Sequence, residues 1–213
     1  MADRIVEQPV GIIGAGSFGT AIANLLAYNV DVLLYSRQAE LVQQINSAHH
    51  HMGVTLSERV RATNDIAELS SECTLLFPVV PSDNFRNMMR TLGPHLRPYH
   101  ILIHGTKGFD APEMTANGTD SNTLLSREQV STMSEVIRQE SCVMRVGCLS
   151  GPNLASEIME GQPTATVIGS HYDEVISLGK KVLSSEHFHV FGTYDLLGAE
   201  LAGALKNIIA IGS

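Results

Sequence analysis

The chain is 213 residues long, 44% apolar, 17% charged and 5% aromatic, a composition that supports a sizeable folded core and excludes general disorder. Its formal net charge of −8 argues against nucleic-acid backbone or anionic membrane partners, so any anionic ligand has to be held by a few local groups. Cys73, Cys142 and Cys148 are an odd number without CxxC spacing, which fits a reducing cytoplasm, and no apolar run reaches the ~18 residues of a membrane span or forms a leader core within residues 1–10.

Apolar runs of strand length alternate along the chain with amphipathic stretches of helix length, the pattern of a mostly parallel sheet with flanking helices. Strands are expected at residues 10–13, 30–35, 74–80, 100–104, 142–149, 164–168 and 188–191. Helices are expected at 17–28, 39–48, 84–96, 127–139, 154–160 and 172–184, where apolar residues recur at intervals of three and four. His49, His50 and His51 follow the second helix; three successive side chains cannot converge on one ion, so they read as a solvated loop and no metal is expected. Residues 110–123 are polar, contain Pro112, Asn117 and Gly118, and read as a surface loop, either a lid or an insertion without a role.

The clearest local signal is VGIIGAGSFGTA at residues 10–21, a short apolar strand running through GxGxxG into a helix. Gly14 permits the tight turn, Gly16 lets backbone approach a pyrophosphate, and Gly19 lets helix and strand pack closely. The helix N-terminus adds unpaired N–H groups. A strand before the motif, a helix after it and a second strand about twenty residues on meet the context for dinucleotide binding in a Rossmann-type fold. The alternative is a glycine-rich turn that holds nothing. At the end of the second strand no carboxylate stands where an NAD-selective site places one. Arg37 either faces a 2′-phosphate with Ser36 beside it, so that NADP is accepted as well as NAD, or is a solvated strand-end cation.

Lysine occurs at only four positions, Lys107, Lys180, Lys181 and Lys206. Lys107 follows the strand at 100–104, at a carboxyl end of the sheet, and is either a ligand group or a surface cation. Lys206 lies in a nearly uncharged helix-like stretch, residues 197–211, among Ala202, Gly203, Ile209 and Ala210. A helix apolar on most faces is expected to be buried, which points Lys206 into an enclosed cleft, where the ammonium pKa falls and the lysine can act as a general base; the other reading is a side chain whose head reaches water. Ser150, Gly151, Pro152 and Asn153 lie between a strand and a helix, as a ligand-facing turn or as a helix cap.

Taken together, GAGSFGTAIA at 14–23, VVPSDNFR at 79–86, TKG at 106–108, SGPNLASE at 150–157, PTATVI at 163–168 and GAELAGALKNIIAIG at 198–212 resemble the bacterial NAD(P)-dependent sn-glycerol-3-phosphate dehydrogenase family over essentially the whole chain. The resemblance implies that Ser17, Phe18 and Ala155 contact the cofactor along with Gly14, Gly16 and Gly19, and that Arg37 lies at the adenosine ribose. It implies that Lys107 meets cofactor and substrate, that Gly151, Asn153 and Asn207 contact substrate, and that Lys206 is the base for hydride transfer between dihydroxyacetone phosphate and sn-glycerol 3-phosphate. It further implies a cytoplasmic enzyme of glycerophospholipid synthesis, compatible with a homodimer. The family continues into a mostly helical domain that supplies further substrate groups, whereas this chain stops at Ser213. Residues 1–194 are therefore expected to form the NAD(P)-binding domain and 195–213 the opening helix of an otherwise missing domain. Two other readings stay open: a catalytically silent nucleotide-binding module, and a dehydrogenase of a related hydroxy acid.

Overall fold

The computed structural model describes residues 7–111 and 129–212, with backbone alone from 207 onward. Its first unit is β1 (Val10–Ile13), α1 (Ser17–Leu26) and β2 (Val32–Tyr35). The chain continues through α2 (Ala39–Ala48), a hairpin of β3 (His50–His51) and β4 (Val54–Thr55), β5 (Val60–Thr63), α3 (Ile66–Glu72), β6 (Leu75–Pro78), α4 (Ser82–Leu92) and β7 (Ile101–His104). It then forms α5 (Met133–Glu140), β8 (Arg145–Ser150), α6 (Ala155–Met159), β9 (Thr164–Ser170), α7 (Asp173–Leu183), β10 (Phe188–Thr193) and α8 (Leu196–Gly212).

Every residue of β1, β6 and β7 is buried, as strands covered on both faces must be. Alternation along each strand divides the core into two layers. Ile12 joins Ile22 and Leu26 of α1, Ile45 of α2 and Val175 and Val182 of α7 on one face. Ile13 joins Leu69 of α3, Phe85 and Met89 of α4 and Val136 of α5 on the other.

The strands are ordered β10-β9-β8-β7-β6-β1-β2-β5. Those from β5 to β8 are mutually parallel, while β9 pairs antiparallel with β8 and parallel with β10. The chain adds β2 and β5 to one side of β1 and then returns to lay β6 on the other. Connections after β1 and β6 thus diverge and open a crevice at the carboxyl edge. Ile13 is in register with both Tyr35 and Pro78, which brings Gly14, Ser36 and Val79 to that edge. α8 crosses back over β8 and β9, close enough at Gly169 that an added Cβ would lie 2.8 Å from Ala199 Cβ.

The expected strand at 10–13 and helix at 39–48 occur with those bounds, and the other expected elements occur with shifted ends. Three elements were not expected: β5, α3 and the hairpin. The hairpin corrects the reading of His49, His50 and His51 as a solvated loop, since His51 pairs with Val54 and its Nε2 donates to Ala15 O over 2.8 Å. Of the polar segment at 110–123, Asp110 is bridged to Ser131 and held by Arg86 Nε over 2.8 Å. Residues 112–123 lie outside the described residues.

Candidate functional site

The crevice is built on the turn between β1 and α1. Gly14 has φ +119°, and a Cβ there would lie 2.6 Å from Val79 O, so only glycine fits this turn without strain. Gly19 is buried with its α-carbon against Gly14 O, which seats the first turn of α1 on the loop. Gly16 is the N-cap of α1; no side chain caps the helix, and the first turn holds no acidic residue. Its N–H groups and the positive end of its dipole are left for an anion. A Cβ built on Gly16 meets no atom within 4 Å, so the backbone borders open space where a pyrophosphate fits.

From this turn a cleft of about 590 Å3 runs over Ser36, Arg37 and Gln38 after β2, His51 of the hairpin, and Val80 and Asn84 after β6. The volume is within the range of small-molecule pockets. Ser36 is buried and accepts the Gln38 N–H over 3.3 Å, which fixes the backbone there and leaves Arg37 exposed beside the cleft. His51 was not singled out from the sequence as a cleft residue; only the hairpin, with positive φ at Met52 and Gly53, carries it there.

A second cluster lies further along the same edge. Thr106 donates to Val80 O over 2.7 Å and ties the loop after β7 to the loop after β6. Lys107 Nζ then donates to Gly151 O over 3.4 Å, and Lys206 Nζ donates to the same oxygen over 3.2 Å. Lys107 Nζ also lies 5.8 Å from the centre of the Phe18 ring, within cation–π range. Burial, with Lys206 alongside, pushes the Lys107 ammonium down to about 8. Two cations sharing one carbonyl oxygen leave a surplus of positive charge, a setting that draws a phosphate ester and polarises an oxygen bound beside it. Lys206 also borders a cavity of about 390 Å3 with Pro152, Glu157 and Thr164.

The structure therefore brings Gly14, Gly16 and Arg37 to the cleft and Lys107, Gly151 and Lys206 to one carbonyl, with Phe18 between them. Ser17 is exposed in the first turn of α1. Asn153 is buried, donates through Nδ2 to Thr166 Oγ1 over 2.8 Å, and leaves Oδ1 unpartnered among the described residues. It does not cap α6, whose N-cap is Leu154 without a side-chain bond. Ala155 opens α6 half-buried and lines neither cavity, and the side chain of Asn207 lies outside the described residues. One expectation is corrected: α8 is not enclosed all round, because Leu197, Leu201 and Leu205 are 47%, 36% and 40% exposed, and Lys206 is half-buried. Its apolar composition serves one packed face and one open one.

Strand order, glycine turn and crevice define a Rossmann-type α/β domain of the dinucleotide-binding class. Within that class, residues 9–176 match the model of the NAD-dependent glycerol-3-phosphate dehydrogenase N-terminus, and the chain belongs to this family. A glycerol-3-phosphate dehydrogenase (NAD(P)+) of Acinetobacter baumannii is 36% identical over 98% of this chain and 55% of its own length. One from Sphingopyxis alaskensis is 37% identical over 95% and 57%. The chain thus spans just over half the length of these relatives. The crystal structure of glycerol-3-phosphate dehydrogenase from Coxiella burnetii superposes with TM-score 0.80 at 27% identity, over 96% of this chain and 59% of that one. Among the described residues, no helix is long and apolar enough to cross a membrane.

Proposed function

We propose that the chain carries the cofactor site and the reacting lysines of an NAD(P)-dependent glycerol-3-phosphate dehydrogenase, interconverting dihydroxyacetone phosphate and sn-glycerol 3-phosphate. The observation that carries this reading is the convergence of Lys107 and Lys206 on Gly151 O beside the glycine turn. When bound, the nicotinamide supplies or accepts the hydride. Gly14, Gly16, Ser17, Phe18 and Gly19 hold the pyrophosphate through backbone, Arg37 faces the adenosine ribose of NADP or NAD, and Ala155 flanks the cofactor. Lys107, Gly151, Asn153 and Asn207 orient the substrate, with Lys107 countering its phosphate. Lys206 takes the proton from the C2 hydroxyl in oxidation and returns it to the C2 oxygen in reduction.

A division at 194/195 belongs to the same proposal, supported by the change there from alternating strands and helices to the single helix α8. So do the reducing direction, for glycerophospholipid synthesis, a cytoplasmic setting and a homodimer. Because the chain spans 55% of a relative such as the A. baumannii enzyme, a second reading is a nucleotide-binding module without turnover.

The test measures binding and turnover apart. NADPH should bind the parent chain and Lys206→Ala alike, while oxidation of NADPH by dihydroxyacetone phosphate should fall by about 10²–10⁴-fold in the variant. Failure to bind NADPH overturns the whole reading, and normal turnover in Lys206→Ala removes the lysine from proton transfer. Binding by the parent without turnover leaves the second reading in place.

A further inference from the structure

A buried carboxylate joins the end of β7 to α8, the two segments that carry the lysines. His104, the last residue of β7, and Glu200 of α8 have side chains 2% and 5% exposed, with His104 Nε2 at 3.0 Å from Glu200 Oε1. The Ser134 N–H donates to the same Oε1 over 2.8 Å, and the Ser134 hydroxyl donates to Oε2 over 2.7 Å. Ser134 lies in the first turn of α5, whose start is fixed by a capping box between Thr132 and Glu135, so the carboxylate also meets the positive end of that helix. Burial opposes ionisation of Glu200, but the His104 and Ser134 donors outweigh it and hold the carboxyl below its ordinary range. With Glu200 accepting, Nε2 of His104 donates in this bond; among the described residues Nδ1 is buried without a partner, and the ring stands edge-on to Phe85 at 5.9 Å.

Apart from the bonds to Glu200, the described side chains of α8 before Lys206 meet the sheet mostly through apolar contact. Leu196, which is buried, and Ala199 meet β9 at Gly169, Gly203 meets β8 at Ser150, and the Cys148 thiol donates to Leu196 O over 3.9 Å; the apolar part of this contact is not directional. The three bonds to Glu200 are directional. Lys107 follows His104 by three residues, and Lys206 follows Glu200 by six along the same helix. We infer that His104, Glu200 and Ser134 form a positioning network that sets the rotation and height of α8 against β7 and so brings Lys206 and Lys107 to one carbonyl. For its effect on turnover this inference rests on the proposed reading of the two lysines; the placement itself is tested without turnover.

The test is competitive acetylation of the chain across a pH series, with each lysine read separately by peptide mass spectrometry and Lys180, exposed on α7, as internal reference. The groups facing the Lys107 ammonium are Lys206, Gly151 O and the Phe18 ring, and in the parent its midpoint should lie at about 8. Glu200→Ala leaves His104 and Ser134 without their acceptor, frees α8, and should raise that midpoint by about one pH unit or more as Lys206 moves away and water enters. Glu200→Gln keeps an oxygen for His104 Nε2 and the Ser134 N–H and turns its amide to the Ser134 hydroxyl, so its midpoint should stay near that of the parent. Ser134→Ala should give a smaller rise, and it carries the test if Glu200→Ala does not fold. An unchanged Lys107 midpoint in folded Glu200→Ala, or in Ser134→Ala where the former does not fold, overturns the inference. So does a Glu200→Gln shift as large as that of Glu200→Ala, which would make charge rather than placement the cause. Where the parent turns over, Glu200→Ala should lower kcat by about 10²-fold with NADPH affinity unchanged and Glu200→Gln should restore most of it; loss of NADPH affinity to match overturns the inference. A labelling shift in a chain without turnover supports the network and removes the enzyme reading.

Discussion

In the proposed reading Arg37 and Lys107 meet negative charge in different ways. Arg37 is exposed at the lip of the cleft, beside the buried Ser36; in that reading its fork meets a phosphate on the ribose. Arg37→Asp should therefore shift preference from NADPH toward NADH by about 1–3 kcal/mol; an unchanged ratio of the two dissociation constants would put Arg37 in solvent. Lys107 is half-buried with its ammonium pushed down to about 8. Below that pH the lysine is charged and ready for a phosphate ester. Above it the free protein has to take up a proton to bind, so affinity for a phosphorylated ligand should fall by up to about tenfold per pH unit, measurable by calorimetry between pH 7 and about 10. The place of Gly14, Gly16 and Arg37 at the cleft is legible in sequence because each lies in a short motif next to a strand end. The meeting of His104, Glu200 and Ser134 is not, because it depends on α8 crossing back over the sheet, 96 residues after His104 and 66 after Ser134.

Elements were legible where hydrophobic runs were long enough to declare a period. β1 and α2 are of this kind. β5 is an edge strand with Arg61 turned out to Glu68 and Glu72 at 2.6 Å each, so its four residues show no apolar run. α3 offers only Ile66 and Leu69, yet its start was signalled: Asp65 accepts from the Ala67 and Glu68 N–H groups, and an Asp with Glu three residues on is a start pattern. The reversal of β9 and β10 has a geometric cause. α6 has five residues, about 8 Å of rise, against roughly 20 Å for a strand the length of β8. Such a helix cannot carry the chain back to the start of a parallel neighbour, whereas α7 with eleven can. The reversal runs β9 back toward the start of β8, and α8 meets it at Gly169. Gly169→Val should force α8 off the sheet and cost about 1–3 kcal/mol, read as a lowered urea midpoint; full stability would mean that α8 moves without loss.

For the molecule as a whole, the net charge of −8 means that an anion is drawn only by what is local: the open N–H groups of α1, Arg37, and the two lysines at Gly151 O. These groups lie on segments far apart in the chain that meet at the carboxyl edge of the sheet, so a ligand spanning them favours the folded state over every partly open one. Two buried thiols, Cys73 and Cys148, are pushed up to about 12 by burial and contribute packing rather than reactivity. The stabilising effect of a cofactor then follows from mass action alone. At a hundred times its dissociation constant NADPH adds about 2.7 kcal/mol, and for a chain of this length each kcal/mol raises Tm by about 2–4 °C. The midpoint should climb by about 5–10 °C, less for Arg37→Asp at the same NADPH concentration because its affinity is expected to be lower, and equally for Lys206→Ala because the proposed reading places that lysine at the substrate. A scan in which NADPH leaves the midpoint unmoved would mean that the glycine turn, the cleft and the lysines do not act as one site.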